Sequence, residues 1–251
     1  MAPAISESVK PPVVILSGGR GTRLRERTES VPKALVEIGG RPILWHVIQI
    51  YAAQGFERFL AATGYMGEAI EEFAAAERWP GGVRVECFDT GLDTPTGGRL
   101  AALADRLGGE GFCATYADGV ADIDLGALLD FHREQSALAT VTVVRPNLQW
   151  GIAELNGDSV DGFVEKPRSE HWINGGFFCF EPGVFEYLDA DSVLERRPLE
   201  RLAADGQLRA YRHEGFWDCM DTYKDAVVLN DLWTAGEAAW RIWDAPPVDA
   251  S

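Results

Sequence analysis

The stretch Val13-Val14-Ile15-Leu16-Ser17-Gly18-Gly19-Arg20-Gly21-Thr22-Arg23-Leu24 runs from four apolar residues straight into a glycine-rich, cationic turn. A short, wholly apolar run that stops at glycines reads as a buried parallel strand. Working outward, Pro42 opens a helical stretch, Ile43 to Gln54, closed by Gly55. Arg58 to Thr63 then reads as a strand, Met66 to Trp79 as a helix and Val83 to Phe88 as a strand. Arg99 to Leu107 reads as a helix, Gly111 to Tyr116 as a strand, Leu125 to Gln135 as a helix and Ala137 to Val144 as a strand. Strand and helix alternating at this spacing predict an α/β fold, a mostly parallel sheet with helices on both faces. Beyond Pro146 the pattern becomes α+β. Strand-like pieces at Gly151–Leu155, Val160–Glu165 and Ile173–Phe180 are followed by helical stretches at Pro182–Leu188, Leu199–Ala204 and Thr222–Ala235. No internal repeat or low-complexity linker divides the chain. Residues 1–11 read as a disordered tail and 12–243 as one domain, in two parts, 12–145 and 146–243.

The chain has 251 residues, enough for a substantial core, and a formal net charge of -16. That charge repels nucleic acid and anionic membranes, so neither is an expected partner. No apolar run approaches the roughly 20 residues of a membrane span. Cys87, Cys113, Cys179 and Cys219 are scattered through apolar surroundings. They read as reduced thiols, not as a disulfide framework or a zinc site. The cytoplasm is the expected location.

An anionic substrate bound by so acidic a protein needs a local cluster of cations or a metal ion. The first turn supplies one, with Arg20, Arg23 and Arg25 beside amides that can form a concave nest for phosphate. It is not a Walker loop, because no Gly-Lys-Ser/Thr occurs. It is not a dinucleotide loop, because Leu24 stands where the third glycine would be. Lys33 follows a stiff proline and is a second cationic candidate. In an open parallel sheet, ligands bind beyond the carboxyl ends of the strands. Three turns follow predicted strands and fall on that edge: Gly18 to Arg23, Thr94 to Arg99, and Ala117-Asp118-Gly119.

These motifs resemble the sugar-1-phosphate nucleotidyltransferases, and more closely their glucose-1-phosphate cytidylyltransferase branch. The resemblance is carried by Gly18-Gly19-Arg20-Gly21-Thr22-Arg23-Leu24 with Pro32-Lys33, by Thr96-Gly97-Gly98-Arg99, and by Thr115-Tyr116 with Asp118-Gly119. Ile173-Asn174-Gly175-Gly176 and Gly215-Phe216-Trp217 with Met220-Asp221-Thr222 extend it over about residues 12 to 243. It implies a Rossmann-like mixed sheet of the nucleotidyltransferase type, similar to the GT-A glycosyltransferases. The half 12–145 would then bind nucleotide and the half 146–243 the sugar. It implies transfer of a nucleoside monophosphate from a triphosphate, with CTP first among the candidates, to a hexose 1-phosphate such as glucose 1-phosphate. Pyrophosphate would leave, and Mg2+ would be the cofactor.

By resemblance, Leu16, Ser17, Gly18, Gly19, Arg20, Gly21, Thr22, Arg23, Lys33, Thr94, Arg99 and Ala117 fall at nucleotide-contacting positions. Glu165, Lys166, Asn174, Gly175 and Gly176 would receive the sugar phosphate. Asp118 and Asp221 would hold the metal, and with Arg23 and Lys33 make up the catalytic set. Read without the resemblance, Asp118 is equally a turn residue and Asp221 a helix N-cap. The chemistry itself needs no general base, since a sugar phosphate is already ionised at neutral pH. Positioning and charge stabilisation must do the catalysis. The sequence departs from the family pattern at Ser17 for alanine, Arg20 for a small or aliphatic residue, and Ala117 for glycine. Two rivals stand beside this reading. Asp122-Ile123-Asp124 fits the metal motif of a glycosyltransferase, and a catalytically inactive homologue would bind nucleotide without turnover. A homo-oligomer is expected by analogy with related enzymes.

Overall fold

The computed structural model describes residues 10–21 and 31–244. Most of the tail expected at 1–11 lies outside the described residues, as do Thr22, Arg23 and Arg25. A seven-stranded sheet organises the rest. In chain order its strands are β1 (Val13–Leu16), β4 (Arg58–Thr63), β5 (Arg84–Asp89), β6 (Phe112–Tyr116), β8 (Ala139–Val144), β11 (Ile173–Phe180) and β12 (Leu208–Arg212). Their spatial order is β12-β8-β11-β6-β1-β4-β5. β1 pairs in parallel with β4 and β6, β4 with β5, and β8 with β12. Only β11 runs antiparallel, between β6 and β8. The sheet is therefore mostly parallel and mixed.

β1 shows why so short a run can anchor the fold. Val13 and Ile15 enter one core cluster, with Tyr51, Phe59 and Phe177, while Val14 and Leu16 enter the other, with Phe112, Phe178 and Phe180. Alternate side chains on a strand point to opposite faces, so a strand covered on both sides must be apolar throughout. Helices α1 (Ile43–Ala52), α2 (Gly67–Ala76), α3 (Thr96–Ala102), α4 (Ala104–Leu107), α5 (Leu125–Gln135), α6 (Arg197–Ala204) and α7 (Tyr223–Ala235) supply that cover, with short 3-10 segments at Lys33–Leu35, Pro182–Tyr187 and Ile242–Asp244. The stretch expected as one helix from Arg99 to Leu107 begins earlier, at Thr96, and breaks between α3 and α4. Pro182–Tyr187 is 3-10, not α.

Three two-stranded ribbons complete the fold. β2 (Glu37–Ile38) pairs with β3 (Arg41–Pro42), β7 (Gly119–Ala121) with β13 (Trp217–Cys219), and β9 (Ile152–Asn156) with β10 (Ser159–Val164). The last is an arm exposed along its length, carrying Leu155, Val160 and Phe163 to solvent. No helix among the described residues is long and apolar enough to cross a membrane. The four cysteines are free; Cys113 and Cys179 are buried, Cys87 and Cys219 half-buried.

Candidate active site

The site forms beyond the carboxyl ends of β1, β6 and β5, where the parallel strands stop and the chain turns over the sheet edge. β6 ends at Tyr116, and the turn Ala117-Asp118 leads into β7. β7 pairs with β13 through Gly119↔Cys219 and Ala121↔Trp217, and the Met220 amide donates to the Asp118 carbonyl at 2.9 Å. This ribbon draws Asp221 to the turn that carries Asp118. Thr222, not Asp221, caps α7. Its hydroxyl accepts from the Asp225 amide while the Asp225 side chain accepts from the Thr222 amide. That capping box takes over the N-terminal amides and leaves the Asp221 carboxylate directed elsewhere.

Lys33 joins the pair. Pro32 is extended (φ -62, ψ 147) and starts the 3-10 turn, whose Leu35 amide donates to the Pro32 carbonyl at 2.8 Å. From there Lys33 Nζ donates to Asp118 Oδ2 and to Asp221 Oδ1, each at 2.6 Å. Burial pulls the Lys33 pKa down, but the two carboxylates outweigh it and the net shift is upward. The ammonium is thus held charged between two anions.

Two cavities meet at this triad. The larger, about 470 Å³, is walled by Leu16, Ser17, Gly18, Gly19 and Gly21 from the first turn, by Lys33, by Thr94, Thr96 and Arg99, and by Tyr116 and Ala117. The smaller, about 390 Å³, is walled by Asn174, Gly175, Gly176, Trp217 and Cys219. Tyr116, Asp118 and Asp221 belong to both. The fold therefore gathers nearly all the expected nucleotide positions around one space and three of the five expected sugar positions around its neighbour. Thr22 and Arg23 lie outside the described residues. Glu165 and Lys166 are exposed just beyond β10, with Lys166 in a left-handed conformation (φ 49), and line neither cavity.

Several side chains are committed within the protein. Arg99, expected to face a base, is buried. Its Nη1 donates to the Thr63 and Gly91 carbonyls and the Thr90 hydroxyl, and its Nη2 to the Gly18 carbonyl at 3.0 Å. A guanidinium whose terminal N–H groups are so occupied braces the loops around the larger cavity, whose wall it also joins. Burial lowers its pKa. Arg20 pairs with Asp93 at 3.0 Å across the rim and is absent from the cavity wall. Ser17 Oγ donates to the Ala62 carbonyl at 3.2 Å. The Ala117 methyl belongs to the larger cavity's wall. On the sugar side, Asn174 Oδ1 accepts from the Gly176 amide at 2.8 Å, and Trp217 Nε1 donates to the Gly175 carbonyl at 2.7 Å. Gly176 has φ +81 and would place a Cβ 2.7 Å from the Tyr116 ring, so both conformation and space require glycine.

The pair fits a hard divalent cation. Two carboxylate oxygens each 2.6 Å from one nitrogen lie within twice that distance of each other. Ligands on one octahedral ion with bonds of about 2.1 Å are separated by roughly 3–4 Å, so small side-chain shifts suffice. The rival Asp-x-Asp site does not form. Asp124 caps α5, accepting from the Ala127 amide at 2.8 Å, and Asp122 faces His213 at 3.0 Å. Neither lines the cavities. Sequence reasoning missed Thr96, Pro95, Ala34 and Cys219 as wall residues. Thr96 was open to discovery as the hydroxyl that heads α3, directly before Gly97-Gly98.

Residues 12–225 match the family model described as nucleotidyl transferase. The glucose-1-phosphate cytidylyltransferase of Salmonella typhimurium is 40% identical over 258 residues, covering 92% of this chain and 99% of that protein. A mannose-1-phosphate guanylyltransferase catalytic subunit beta from Danio rerio is 31% identical, over 84% of this chain but only 61% of its own length. A UTP-bound UGPase structure from Acinetobacter baumannii superposes with a TM-score of 0.72 over 90% of this chain and 93% of that one; at 16% identity it shows the shared fold alone. The chain belongs to the nucleotidyl transferase family, in its glucose-1-phosphate cytidylyltransferase branch.

Proposed function

We propose that this protein transfers CMP from CTP to α-D-glucose 1-phosphate, giving CDP-glucose and pyrophosphate, with Mg2+ as its metal. The observation that carries the reading is the triad of Lys33, Asp118 and Asp221 at the meeting point of two cavities. The larger would take the triphosphate and base, and the smaller the sugar phosphate. The attacking phosphate oxygen and the α-phosphate would then meet at the shared wall.

The residues act by holding and neutralising charge. Gly18, Gly19 and Gly21 line the larger cavity, and their amides would donate to phosphate oxygens there, as successive backbone N–H groups do at other phosphate sites. Arg99 fixes that turn by gripping the Gly18 carbonyl. Asp118 and Asp221 would hold Mg2+, which supplies charge neutralisation at the α-phosphate. Once a cation lies on the carboxylates, Lys33 is free to turn its ammonium to phosphate. Thr22 and Arg23, by resemblance, add to the triphosphate contacts. Glu165 and Lys166 would contribute from the foot of the β9–β10 arm, and Asn174, Gly175 and Gly176 from the sugar wall. The free thiols fit the reducing cytoplasm, where we place the enzyme, as a homo-oligomer.

The testing experiment is a matrix of nucleoside triphosphates against hexose 1-phosphates, scored by Mg2+-dependent pyrophosphate release. Fastest turnover with CTP and glucose 1-phosphate is expected. Release with another pair would move the substrate assignment, and silence across the matrix would overturn the function.

A further inference from the structure

We propose that Glu195, a residue in neither cavity wall, is a positioning residue that couples the nucleotide side of the site to the sugar side. The inference rests on the proposed transfer reaction and adds to it a link between the two substrates.

The segment before Glu195 is docked on the first turn of α3. The Gly98 amide donates to the Ser192 carbonyl at 3.0 Å, and the Leu194 amide donates to Thr96 Oγ1 at 2.9 Å. A Cβ on Gly98 would stand 2.2 Å from the Ala190 carbonyl oxygen, and one on Gly97 2.8 Å from the Ser192 carbonyl oxygen. The two glycines thus admit a close backbone approach, and the buried Leu194 seals it. Glu195 emerges from this docking with its carboxylate across two hydroxyls. Oε2 accepts from Thr96 Oγ1 at 2.7 Å and Oε1 from the Tyr116 hydroxyl at 2.5 Å. The Tyr116 oxygen in turn accepts from Asn174 Nδ2 at 3.2 Å. The chain Thr96–Glu195–Tyr116–Asn174 therefore runs from the wall of the larger cavity, through the shared wall, to the smaller.

Proton directions make the carboxylate specific. Thr96 Oγ1 already receives the Leu194 amide, and the Tyr116 oxygen already receives Asn174, so each hydroxyl turns its own proton to Glu195. Burial and the nearby Glu195 charge push the Tyr116 phenol up, so it keeps that proton. Two donors facing one side chain require two acceptor oxygens. An ionised carboxylate has them; a glutamine amide has one, so one hydroxyl would have to turn its proton away and accept from the NH2 instead. Glu195 is exposed, so water replaces its bonds when it is removed and the fold is little affected. What is lost is the placement of Tyr116 and Asn174 against the sugar phosphate, while Thr96 stays held by the Leu194 amide.

The test compares the wild type with Glu195→Gln, Glu195→Ala, Tyr116→Phe and the Glu195→Gln/Tyr116→Phe double variant, using the nucleotide and sugar phosphate that the wild type turns over best. The expected result is a KM for the sugar phosphate raised about tenfold and a lower kcat in both Glu195 variants, since misplacement of this kind costs one to two orders of magnitude. The melting temperature should be unchanged within about 2 °C, and the Kd of the triphosphate alone, by calorimetry, within about twofold. The double variant should be no worse than the poorer single, because both changes cut one linkage. Wild-type kinetics in Glu195→Gln would overturn the proposal while leaving the transfer reaction standing. A variant that melts early and loses both substrates equally would overturn it too, by reducing Glu195 to a structural role. No turnover by the wild type with any pair would overturn both.

Discussion

Gly18 illustrates how a residue can be singled out for one reason and required for another. Glycine in a phosphate-binding turn reads as room for an anion. In the structure a Cβ there would stand 2.1 Å from Arg99 Nη1, so the guanidinium occupies the space. Gly18→Ala must push Arg99 out of its web of carbonyls, and overpacking of this kind costs about 1–3 kcal/mol. Thermal unfolding should show the loss, together with reduced nucleotide affinity; a variant with wild-type stability and affinity would remove Arg99 as the brace. Asp118 makes the opposite case, with little structural duty and its carboxylate on Lys33. Asp118→Asn should keep the melting temperature and lower kcat at least about a hundredfold. Near-normal turnover would take Asp118 out of the mechanism. Arg99, expected by resemblance at a nucleotide-contacting position, also has a bracing role that the sequence did not make legible. No sequence signal reveals that five surrounding backbone and hydroxyl oxygens will claim its N–H groups.

At the scale of elements, the long strands and helices and the β9–β10 arm were legible, and the shortest ribbons were not. β4, α5 and β11 begin and end where their apolar patterns and flanking turns place them. β7 and β13 have three residues each, too few for any period to register, yet they bring Asp221 to Asp118 across about a hundred positions. β12 was also unread, since its Leu-Arg-Ala-Tyr-Arg pattern belongs to an edge strand with exposed arginines. Helix α1 carries a testable consequence. His46, wholly buried, holds Ile38 O at 2.8 Å through Nε2 and accepts from Trp240 Nε1 at Nδ1, 3.3 Å away. A second proton at Nδ1 would oppose the indole N–H, and burial lowers the His46 pKa to about 4. The unfolded chain takes up this proton near the ordinary imidazole value of 6.5 and the native protein does not. Native stability from this group is therefore present above pH 6.5 and lost as pH falls toward 4, by about 1.4 kcal/mol per unit. Urea unfolding of wild type and His46→Gln across this range should show a difference that shrinks on acidification. A pH-independent difference would contradict it.

For the whole molecule, the acidic surface and the exposed arm pull in different directions. A net charge of -16 favours separated, soluble particles, whereas Ile152, Leu155, Val160, Phe163 and Val164 on β9 and β10 leave an apolar ribbon in water. A second copy of the chain covering that ribbon is the expected outcome. Sedimentation of the wild type should show an oligomer that Leu155→Glu/Phe163→Glu dissociates. A monomeric wild type at micromolar concentration would refute it. Over the whole chain, two carboxylates distant in sequence would act on one divalent ion between two substrates. Groups that serve one ion fail together. The direct measurement is Mg2+-dependent pyrophosphate release from CTP and glucose 1-phosphate by the wild type, Asp118→Asn, Asp221→Asn and the double variant. Each single change should cost at least about a hundredfold, and the double no more than the worse single. Losses that multiply, or a single variant that turns over normally, would contradict a shared ion.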